Sequence, residues 1–354
     1  MSLAAGEQRR WFIYALGGGA GHLVRSTSLA RAAIRNARLH DAQLQVTILT
    51  NSPFADQIPV QEELGKEHSI IKLNSSWNRE RTVQAVRRHI LNSEFDTLIV
   101  DTFPRGLGGE IPDILSQLPS KKILVHRNVA AEYCEKPSVA ESMHSFDRII
   151  LPGESAPFET LSHAKKTRPW LIRDADELLT PQAARKRLGV ETETVPVVAV
   201  VGCGNGAEVK DMRRLAEQLK QRFHESAVVR FIAPDSTISG TQDLNAYQRQ
   251  TKQSPVKRIW PLLEVIRGIN VLVGSGGYNT ANEARATQTP FIGIPRKRLY
   301  DCQEKRLASF TDPVELVDVA NRLAKVLSHP LDPSCPAPGY VNGVHEAAKI
   351  VFTI

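Results

Sequence analysis

Short apolar runs rich in β-branched residues alternate with stretches of helical period along most of the chain. The runs are continuously apolar, which is typical of strands buried on both faces of a parallel sheet that is covered by helices. They cover residues 11–16, 44–49, 69–73, 96–100, 122–126, 147–151, 195–201, 227–233, 269–274 and 290–294. Helical period is clearest over 22–38 and 79–91. The pattern therefore predicts an α/β fold.

The alternation of strands and helices occurs twice, and the polar, charged stretch 173–194 separates the two occurrences. We interpret this stretch as an interdomain linker followed by the first helix of a second domain. The length of 354 residues also exceeds what one hydrophobic core usually fills. We therefore expect two Rossmann-like, parallel-sheet domains that face a cleft, with an N-terminal domain over 1–174 and a C-terminal domain over 175–335.

The end of the chain joins a Pro-rich segment to a helical pattern. Residues 329–339 hold several prolines and cannot form a helix, whereas residues 342–352 have apolar positions at helical spacing. This pattern is compatible with two arrangements. Either the last helix packs back on the first domain, or it simply ends the second domain.

The composition is that of an ordinary folded protein, with 42% hydrophobic and 23% charged residues, which excludes a mostly disordered chain and a fibrous repeat. No stretch reaches the roughly 20 apolar residues that cross a bilayer. The apolar run after Arg9 and Arg10 is too short and too rich in glycine for a signal peptide. We expect a soluble, cytoplasmic protein.

The formal charge of +7 is spread over both halves of the chain, without a Lys-rich tail or an RNA-binding aromatic motif, so a nucleic-acid partner is disfavoured. The first predicted helix nevertheless carries Arg25, Arg31, Arg35 and Arg38, the last three close to one face. This helix is either an ordinary solvated surface or a patch for anionic lipid headgroups or an acidic acceptor. The second hypothesis implies peripheral membrane contact.

The cysteines lie far apart, at positions 134, 203, 302 and 335, with no Cys-x-x-Cys pair and no histidine at metal-ligand spacing. A disulfide scaffold and a zinc module are both disfavoured. We interpret the thiols as buried or incidental and expect no metal site.

A Gly-rich turn follows the first predicted strand and opens a helix, at residues 17–22. Glycines let the backbone approach a ligand closely, and a helix N-terminus presents N–H groups to an anion. The turn departs from a dinucleotide fingerprint because His22 stands where the third glycine belongs. The acidic residue expected about 20 positions later also lacks a good match. Nicotinamide chemistry is therefore disfavoured. We interpret His22 as a candidate general base, with packing at the helix start as the alternative.

Polar residues also follow two later strands of the first domain. Asp101 closes the run 96–100, and side chains at the carboxyl ends of parallel strands lie where α/β proteins bind ligands. Asp101 either orients and charge-stabilises His22 or caps the turn that follows it. The sequence His126-Arg127-Asn128, after another strand, either lines the same region or packs at the strand end.

The second half holds two more Gly-rich turns after strands. The first, within 200–209, contains Gly204 and Asn205, and the second is Ser275-Gly276-Gly277. Glu283 lies about two helical turns beyond the second one. A carboxylate that accepts both hydroxyls of a ribose, beside a Gly turn that holds a diphosphate, predicts a pocket for a nucleoside diphosphate.

The stretch 259–307 resembles the MurG-like glycosyltransferases of family 28, in the second domain of their GT-B fold. The resemblance rests on the spacing from Gly276-Gly277 to Glu283, then to Pro290 and Pro295, then to an Asp-x-Gln motif at 301–303. The Gly-rich turn that ends in His22 is similar to the N-terminal loop of the same family. The similarity covers most of residues 10–330, and its weaker part is most like the predicted glycosyltransferases of this group.

The resemblance implies a role for each matching residue. The Ile259 backbone would read the uracil edge, Glu283 would hold the ribose, and Gln303 would contact the donor sugar. The diphosphate would lie at Ser275, Gly276 and Gly277, with Gly204 and Asn205 also on the donor side, and near Arg296, Lys297 or Arg298. The acceptor and the anomeric carbon would face Gly18, Gly19, Gly21 and His22. The helix over 341–354 would cross back to the first domain.

The family implies inverting, metal-independent transfer of a sugar, with N-acetylglucosamine as one candidate, from a UDP-sugar to an unidentified hydroxyl acceptor. UDP-sugar is then a substrate, and no cofactor is expected. Two other functions stay open. A UDP-sugar epimerase would need more acid–base groups around the sugar, for which the candidates are His22, Asp101, His126 and Glu132, and a non-catalytic UDP-sugar-binding protein would need none.

Overall fold

The computed structural model describes residues 6–192, 194–233, 259–329 and 339–354. Contacts divide the chain into two compact units. The first unit comprises the chain up to Ile172, together with Arg298–Cys302 and Asn342–Ile354, and the second comprises Arg173–Lys297 and Gln303–Val341. The Pro-rich segment predicted at 329–339 and Cys335 fall almost wholly outside the described residues.

The first unit is built on a parallel sheet with the strand order β3-β2-β1-β4-β5-β6-β7. The strands are β1 (Gln8–Ala15), β2 (Gln43–Thr50), β3 (Ser69–Lys72), β4 (Thr97–Asp101), β5 (Lys121–Val125), β6 (Arg148–Pro152) and β7 (Ala164–Thr167). The helices are α1 (Ala20–Leu39), α2 (Val60–Leu64), α3 (Arg79–Leu91), α4 (Pro112–Leu115), α5 (Ala131–Cys134) and α6 (Val139–His144). The central strands β1 and β4 are neighbours, so the turns that follow them meet at one edge of the sheet.

The second unit contains a smaller parallel sheet with the strand order β11-β10-β8-β9. Its strands are β8 (Val197–Val201), β9 (Val228–Ile232), β10 (Val271–Ser275) and β11 (Phe291–Ile294). Its helices are α7 (Pro181–Arg187), α8 (Gly206–Arg222), α9 (Tyr278–Ala286), α10 (Gln303–Ala308) and α11 (Val319–Leu327), with 3-10 turns at Ala175–Glu177, Leu262–Gly268 and Leu316–Asp318.

The continuous apolar runs form strands because both faces of each sheet are covered. In β8, Val197 and Ala199 belong to one hydrophobic cluster, whereas Val198 and Val200 belong to another. Successive side chains of a strand point to opposite faces, so an apolar residue is required at every position. Every run predicted from the sequence overlaps a strand of the structure, and the predicted α/β architecture with two parallel sheets is confirmed.

Strand β7 is a strand that the pattern does not predict. Its sequence, Ala-Lys-Lys-Thr, has two exposed lysines, and it pairs with β6 at the edge of the sheet. Lysines are typical of edge strands because they discourage further pairing. The apolar pattern therefore misses it.

The last helix, α12 (Val344–Phe352), lies in the first unit and packs on α1. The ring of Phe352 lies 4.8 Å from that of Trp11 on β1. Just before the helix, the Asn342 side chain accepts a hydrogen bond from the Leu171 N–H at 3.0 Å and donates to the Leu171 carbonyl at 2.9 Å. These bonds hold the start of the C-terminal segment Asn342–Ile354 against residues near Ile172, where the N-terminal part of the first unit ends.

The arginines of α1 do not form one surface. Arg25 is buried, with 1% of its surface exposed, so its place in the predicted surface group is wrong. Arg31 is partly buried and lies 3.2 Å from Glu63, while Arg38 is exposed and lies 2.8 Å from Glu67. Peripheral membrane contact through this helix stays a prediction, and it now concerns the C-terminal part of the helix, where Arg35 is exposed.

The described residues hold neither a membrane span nor a metal-binding cluster. None of the helices in these ranges is both long enough and apolar enough to span a bilayer. No group of three or more histidine, cysteine, aspartate or glutamate side chains in the same ranges is arranged to hold a metal ion.

Candidate functional site

The turn between β1 and α1 places His22 at the start of α1. A Cβ atom added to Gly17 would lie 2.0 Å from Cδ2 of His22, so glycine is required there for the imidazole to pack against the backbone. The other glycines of the turn, Gly18, Gly19 and Gly21, would each carry a Cβ with nothing within 4 Å. The turn therefore fixes the ring on one side and leaves open space beside the backbone on the other.

His22 contacts Asp101, at the end of the neighbouring strand β4. The distance from His22 Nδ1 to Asp101 Oδ2 is 2.6 Å. An ionised carboxylate only accepts hydrogen bonds, so Nδ1 carries the proton and Nε2 keeps its lone pair. No described residue makes a hydrogen bond with Nε2. The ring stacks on Phe103, with centroids 5.4 Å apart, and 15% of the side chain is exposed.

Asp101 is bound on its other side by the buried Arg25, which the sequence pattern places on the surface. Arg25 Nε donates to Oδ1 at 2.8 Å and Nη2 donates to Oδ2 at 2.6 Å. Burial alone would raise the pKa of Asp101, but the charge of Arg25 and the hydrogen bond from His22 hold it well below the ordinary value. Burial lowers the pKa of His22, although its hydrogen bond with Asp101 opposes this effect. At neutral pH the pair is therefore a carboxylate and a neutral imidazole.

The chain turns sharply after Asp101. Thr102 has a φ of 72°, a left-handed conformation that is rare for a β-branched residue, and its N–H donates to the Val125 carbonyl at 2.7 Å. Further along, the buried Tyr14 hydroxyl donates to Glu110 at 2.5 Å and accepts from the Leu107 N–H at 3.0 Å. These bonds hold the loop after β4 against β1.

The two residues that follow β5 are packed into the first unit. His126 is fully buried, and burial lowers its pKa to about 4. Arg127 Nη2 lies 3.1 Å from Asp301 Oδ1, and Asp301 also forms an isolated antiparallel bridge with Val129. The predicted alternative of strand-end packing describes His126 in the structure. Asp301, the first residue of the Asp-x-Gln motif, therefore belongs to the first unit.

In the second unit, the turn after β10 opens helix α9. Gly277 is the N-cap, no side chain caps the helix, and its first turn carries no acidic residue, so this terminus is suited to an anion. The Gly276 N–H donates to the Ile294 carbonyl at 3.3 Å. A Cβ on Gly276 would lie 2.8 Å from Leu307 Cδ1, so glycine lets α10 approach the turn.

Glu283 lies on the same helix, and only 6% of its surface is exposed. No described residue makes a hydrogen bond or an ion pair with its carboxylate. Burial raises its pKa to about 7. Buried carboxylates usually have partners, so a carboxylate that lacks one in the described part of the protein is suited to accept hydrogen bonds from a ligand.

Three of the remaining predicted donor residues, Ser275, Gly204 and Gln303, lie in or beside the turns of the second unit. Ser275 Oγ lies 3.2 Å from Cys203 Sγ, so the turns after β8 and β10 touch, and Gly204, with a φ of 107°, follows Cys203. Gln303 is buried and its side-chain oxygen accepts from the Arg296 N–H at 3.1 Å.

Asn205 and Ile259 have evident structural contacts. The Asn205 side chain accepts from the Glu208 N–H at 3.0 Å, and the Glu208 carboxylate accepts from the Asn205 N–H at 2.8 Å. This capping box places a carboxylate at the start of α8, which makes that terminus less suited to an anion than the start of α9. Ile259 packs in a hydrophobic cluster of the second unit.

The structure thus brings the predicted residues together in two places. In the first unit, His22, Asp101 and the open Gly-rich turn adjoin one another. In the second unit, the turns after β8 and β10 adjoin, with Glu283 on the helix that follows. The predictions from the sequence miss the contribution of Arg25 in the first place and of the Cys203 thiol in the second.

No protein-family model matches the chain, and no curated protein matches its sequence. Solved structures do match it over almost its full length. The kitacinnamycin glycotransferase has 13% identity and a TM-score of 0.58 and covers 98% of this chain and 99% of its own. MurG of Acinetobacter baumannii has 13% identity and a TM-score of 0.53, covering 98% and 100%.

The fold is GT-B. Enzymes other than glycosyltransferases share it. The UDP-GlcNAc 2-epimerase of Neisseria meningitidis bound to UDP-GlcNAc has a TM-score of 0.60 at 12% identity, covering 97% of this chain and 98% of its own. Identities this low establish the fold alone, and one fold supports several chemistries. The function therefore depends on the residues of the site.

Proposed function

We propose that the protein transfers a sugar from a UDP-sugar to a hydroxyl acceptor with inversion and without a metal ion or a cofactor. The observation that carries the proposal is the contact between His22 and Asp101, which leaves Nε2 without a partner among the described residues beside an open Gly-rich turn. An oriented, neutral imidazole is the group that such a transfer needs as its base.

In the proposed step, Nε2 of His22 takes the proton of the acceptor hydroxyl while its oxygen bonds to the anomeric carbon. The bond from that carbon to the diphosphate breaks, and UDP leaves with the electron pair. Asp101 accepts a hydrogen bond from Nδ1 and stabilises the imidazolium that forms. Proton transfer of this kind contributes roughly 10²–10⁴ in rate.

The donor nucleotide is assigned to the second unit. The uncapped start of α9 would hold the diphosphate, whose developing negative charge a helix N-terminus stabilises. The buried carboxylate of Glu283 would accept the ribose hydroxyls. Its lack of a partner within the described residues supports this role, because the ligand would supply the missing hydrogen bonds.

Epimerisation is the rival that the shared fold raises. It would need further acid–base groups, but His126 is fully buried and Asp101 already binds both Arg25 and His22. The fourth candidate, Glu132, is exposed on α5. Among the two histidines and Asp101, only His22 offers an accessible base, which favours transfer over epimerisation. The Neisseria meningitidis epimerase binds UDP-GlcNAc, which makes that donor the first one to test.

Mass spectrometry of UDP-sugars incubated with the protein and a panel of hydroxyl compounds tests the proposal. We expect UDP together with a glycosylated acceptor. An epimerised UDP-sugar formed without any acceptor would instead identify an epimerase. Binding without any change of the donor would identify a sugar-nucleotide-binding protein.

A further inference from the structure

Arg25 is a buried cation that takes no direct part in the proposed reaction step. It lies on α1, three residues after His22, and only 1% of its surface is exposed. Two of its nitrogens bind Asp101, and Nη2 also donates to Thr102 Oγ1 at 2.8 Å. A guanidinium in a two-pronged contact with a carboxylate fixes the plane of that carboxylate, which a single point charge does not do.

The carboxylate of Asp101 is shared between its partners. Oδ1 accepts from Arg25 Nε at 2.8 Å, whereas Oδ2 accepts from both Arg25 Nη2 and His22 Nδ1 at 2.6 Å and lies 3.3 Å from Thr102 Oγ1. Arg25 and His22 both donate to Oδ2. A change in the charge or position of one therefore alters the electrostatic interaction of the carboxylate with the other. The geometry therefore couples Arg25 to the imidazole through Asp101.

We propose that Arg25 is a positioning residue for the proposed transfer: through Asp101 it sets the orientation of His22 and keeps its imidazole neutral and able to accept a proton. This inference rests on the proposed function for its catalytic meaning. The coupling of Arg25 to His22 can be measured without any catalytic assay.

The charged groups that face His22 come from three elements. Asp101 on β4 favours the protonated imidazole, whereas Arg25 on α1 and Arg127 after β5 disfavour it. Arg127 is itself paired with Asp301 and lies 3.8 Å from Glu154, so its charge is partly compensated. Arg25 shares the carboxylate that His22 uses, so its removal should have the larger effect.

The backbone next to Asp101 supports the same assignment. Thr102 has the left-handed φ of 72°, and such conformations persist where the surroundings fix them, often beside functional groups. The bond from Arg25 to the Thr102 hydroxyl is one of the contacts that fix it. Arg25 thus holds both the carboxylate and the turn that presents it.

The test is a nuclear magnetic resonance titration of the His22 ring in the full-length protein, with labelled histidine. In the wild type we expect a proton on Nδ1 at pH 7 and a titration midpoint below the ordinary value of 6.5. An imidazolium at pH 7 in the wild type would overturn the proposal even if every variant failed to fold.

Three variants complete the experiment. Arg25→Gln should move the midpoint upward by about one pH unit, the size that a neighbouring charge produces. Arg25→Lys keeps the charge and should leave the midpoint close to that of the wild type, although it loses the two-pronged contact. Arg35→Gln, on an exposed part of the same helix, is the matched control and should change nothing. An unchanged midpoint in folded Arg25→Gln would contradict the coupling.

Kinetics separates this inference from the proposed function. If the protein transfers sugar, Arg25→Gln should move the acid limb of the rate profile to higher pH and recover rate there, while UDP affinity stays unchanged. A loss of rate that is equal at every pH would mean a structural role only. If no transfer is found but the ring titration shifts as expected, the proposed function falls and the coupling stands.

Discussion

His22 Nδ1 and Asp101 Oδ2 lie 2.6 Å apart, although 79 positions separate the two residues in the sequence. They meet because β1 and β4 are adjacent parallel strands. Asp101 ends β4, and His22 lies in the first turn of the helix that follows β1. The contact explains how a solitary histidine in a Gly-rich turn can act as an oriented base.

Replacing Asp101 by Asn should reduce both activity and stability. The amide leaves the charge of buried Arg25 without its partner, and breaking a buried pair costs about 3–5 kcal/mol. Because the folded pKa of Asp101 is lowered, its stabilising contribution is present above the unfolded pKa and is lost as the pH falls through the folded one. Urea unfolding at pH 7 and at pH 3 measures the effect. Equal stability of wild type and variant at pH 7 would contradict it.

Replacing Glu283 by Gln should have opposite effects on stability and on UDP binding. Burial raises the pKa of Glu283 from 4.5 to about 7, so the ionised group destabilises the folded state increasingly as the pH rises through that window. Above it, the variant should be more stable than the wild type by about 3 kcal/mol, because a tenfold change in an acid dissociation constant corresponds to about 1.4 kcal/mol.

The same variant should bind UDP about tenfold more weakly or worse, since hydrogen bonds to charged groups contribute about 1.5–3 kcal/mol. In the wild type, affinity should rise as the pH increases through about 7, where Glu283 becomes ionised. Calorimetry over that range measures both effects, with the exposed Glu315→Gln as the control. Unchanged UDP affinity in Glu283→Gln would remove the ribose contact from the account.

Gly17 and Gly18 form a matched pair in the turn before α1. An alanine at Gly17 would place Cβ 2.0 Å from the His22 ring and displace it, whereas an alanine at Gly18 would meet nothing within 4 Å. We expect Gly17→Ala to lose most of the activity while both variants stay folded. Rate measurements with circular dichroism decide this, and a Gly17→Ala variant as active as the wild type would argue against a fixed imidazole.

UDP should protect Cys203 from alkylation. Its sulfur lies 3.2 Å from Ser275 Oγ, beside the turn that would hold the diphosphate. Peptide mass spectrometry after iodoacetamide treatment, with and without UDP, follows this thiol separately, and Cys134 in the first unit is the internal control. If UDP protects neither thiol, or protects both equally, the proposed donor site is contradicted.

Much of the fold is predictable from the sequence because its strands are buried on both faces and therefore carry an apolar residue at every position. The polar edge strand β7 lacks that signal. The contact of His22 with Asp101 is predictable in outline because Asp101 ends one predicted strand and His22 follows another. The placement of Asp301 in the first unit has no local signal, since it depends on contacts with Arg127 and Val129, far away in the sequence.

Arg25 is wrongly predicted on the surface because a charged residue in a helix usually faces solvent. A signal is nevertheless present. Arg25 lies four and seven residues before the buried Leu29 and Ala32, on the apolar face of α1, and three residues after His22. An arginine on an apolar face requires a buried acid, and Asp101 is such an acid. The capping box of Asn205 and Glu208 is also readable, from its three-residue spacing.

The most direct test of the account is the rate of UDP release from a UDP-sugar, in the presence of the acceptor panel, for wild type and His22→Asn. The exposed His144→Asn is the control. We predict that the rate of His22→Asn falls by a factor of roughly 10²–10⁴ and that the control is unaffected. His22→Asn should bind UDP within about twofold of the wild type, because the proposed nucleotide contacts lie in the second unit. A His22→Asn variant that releases UDP as fast as the wild type would contradict the central claim.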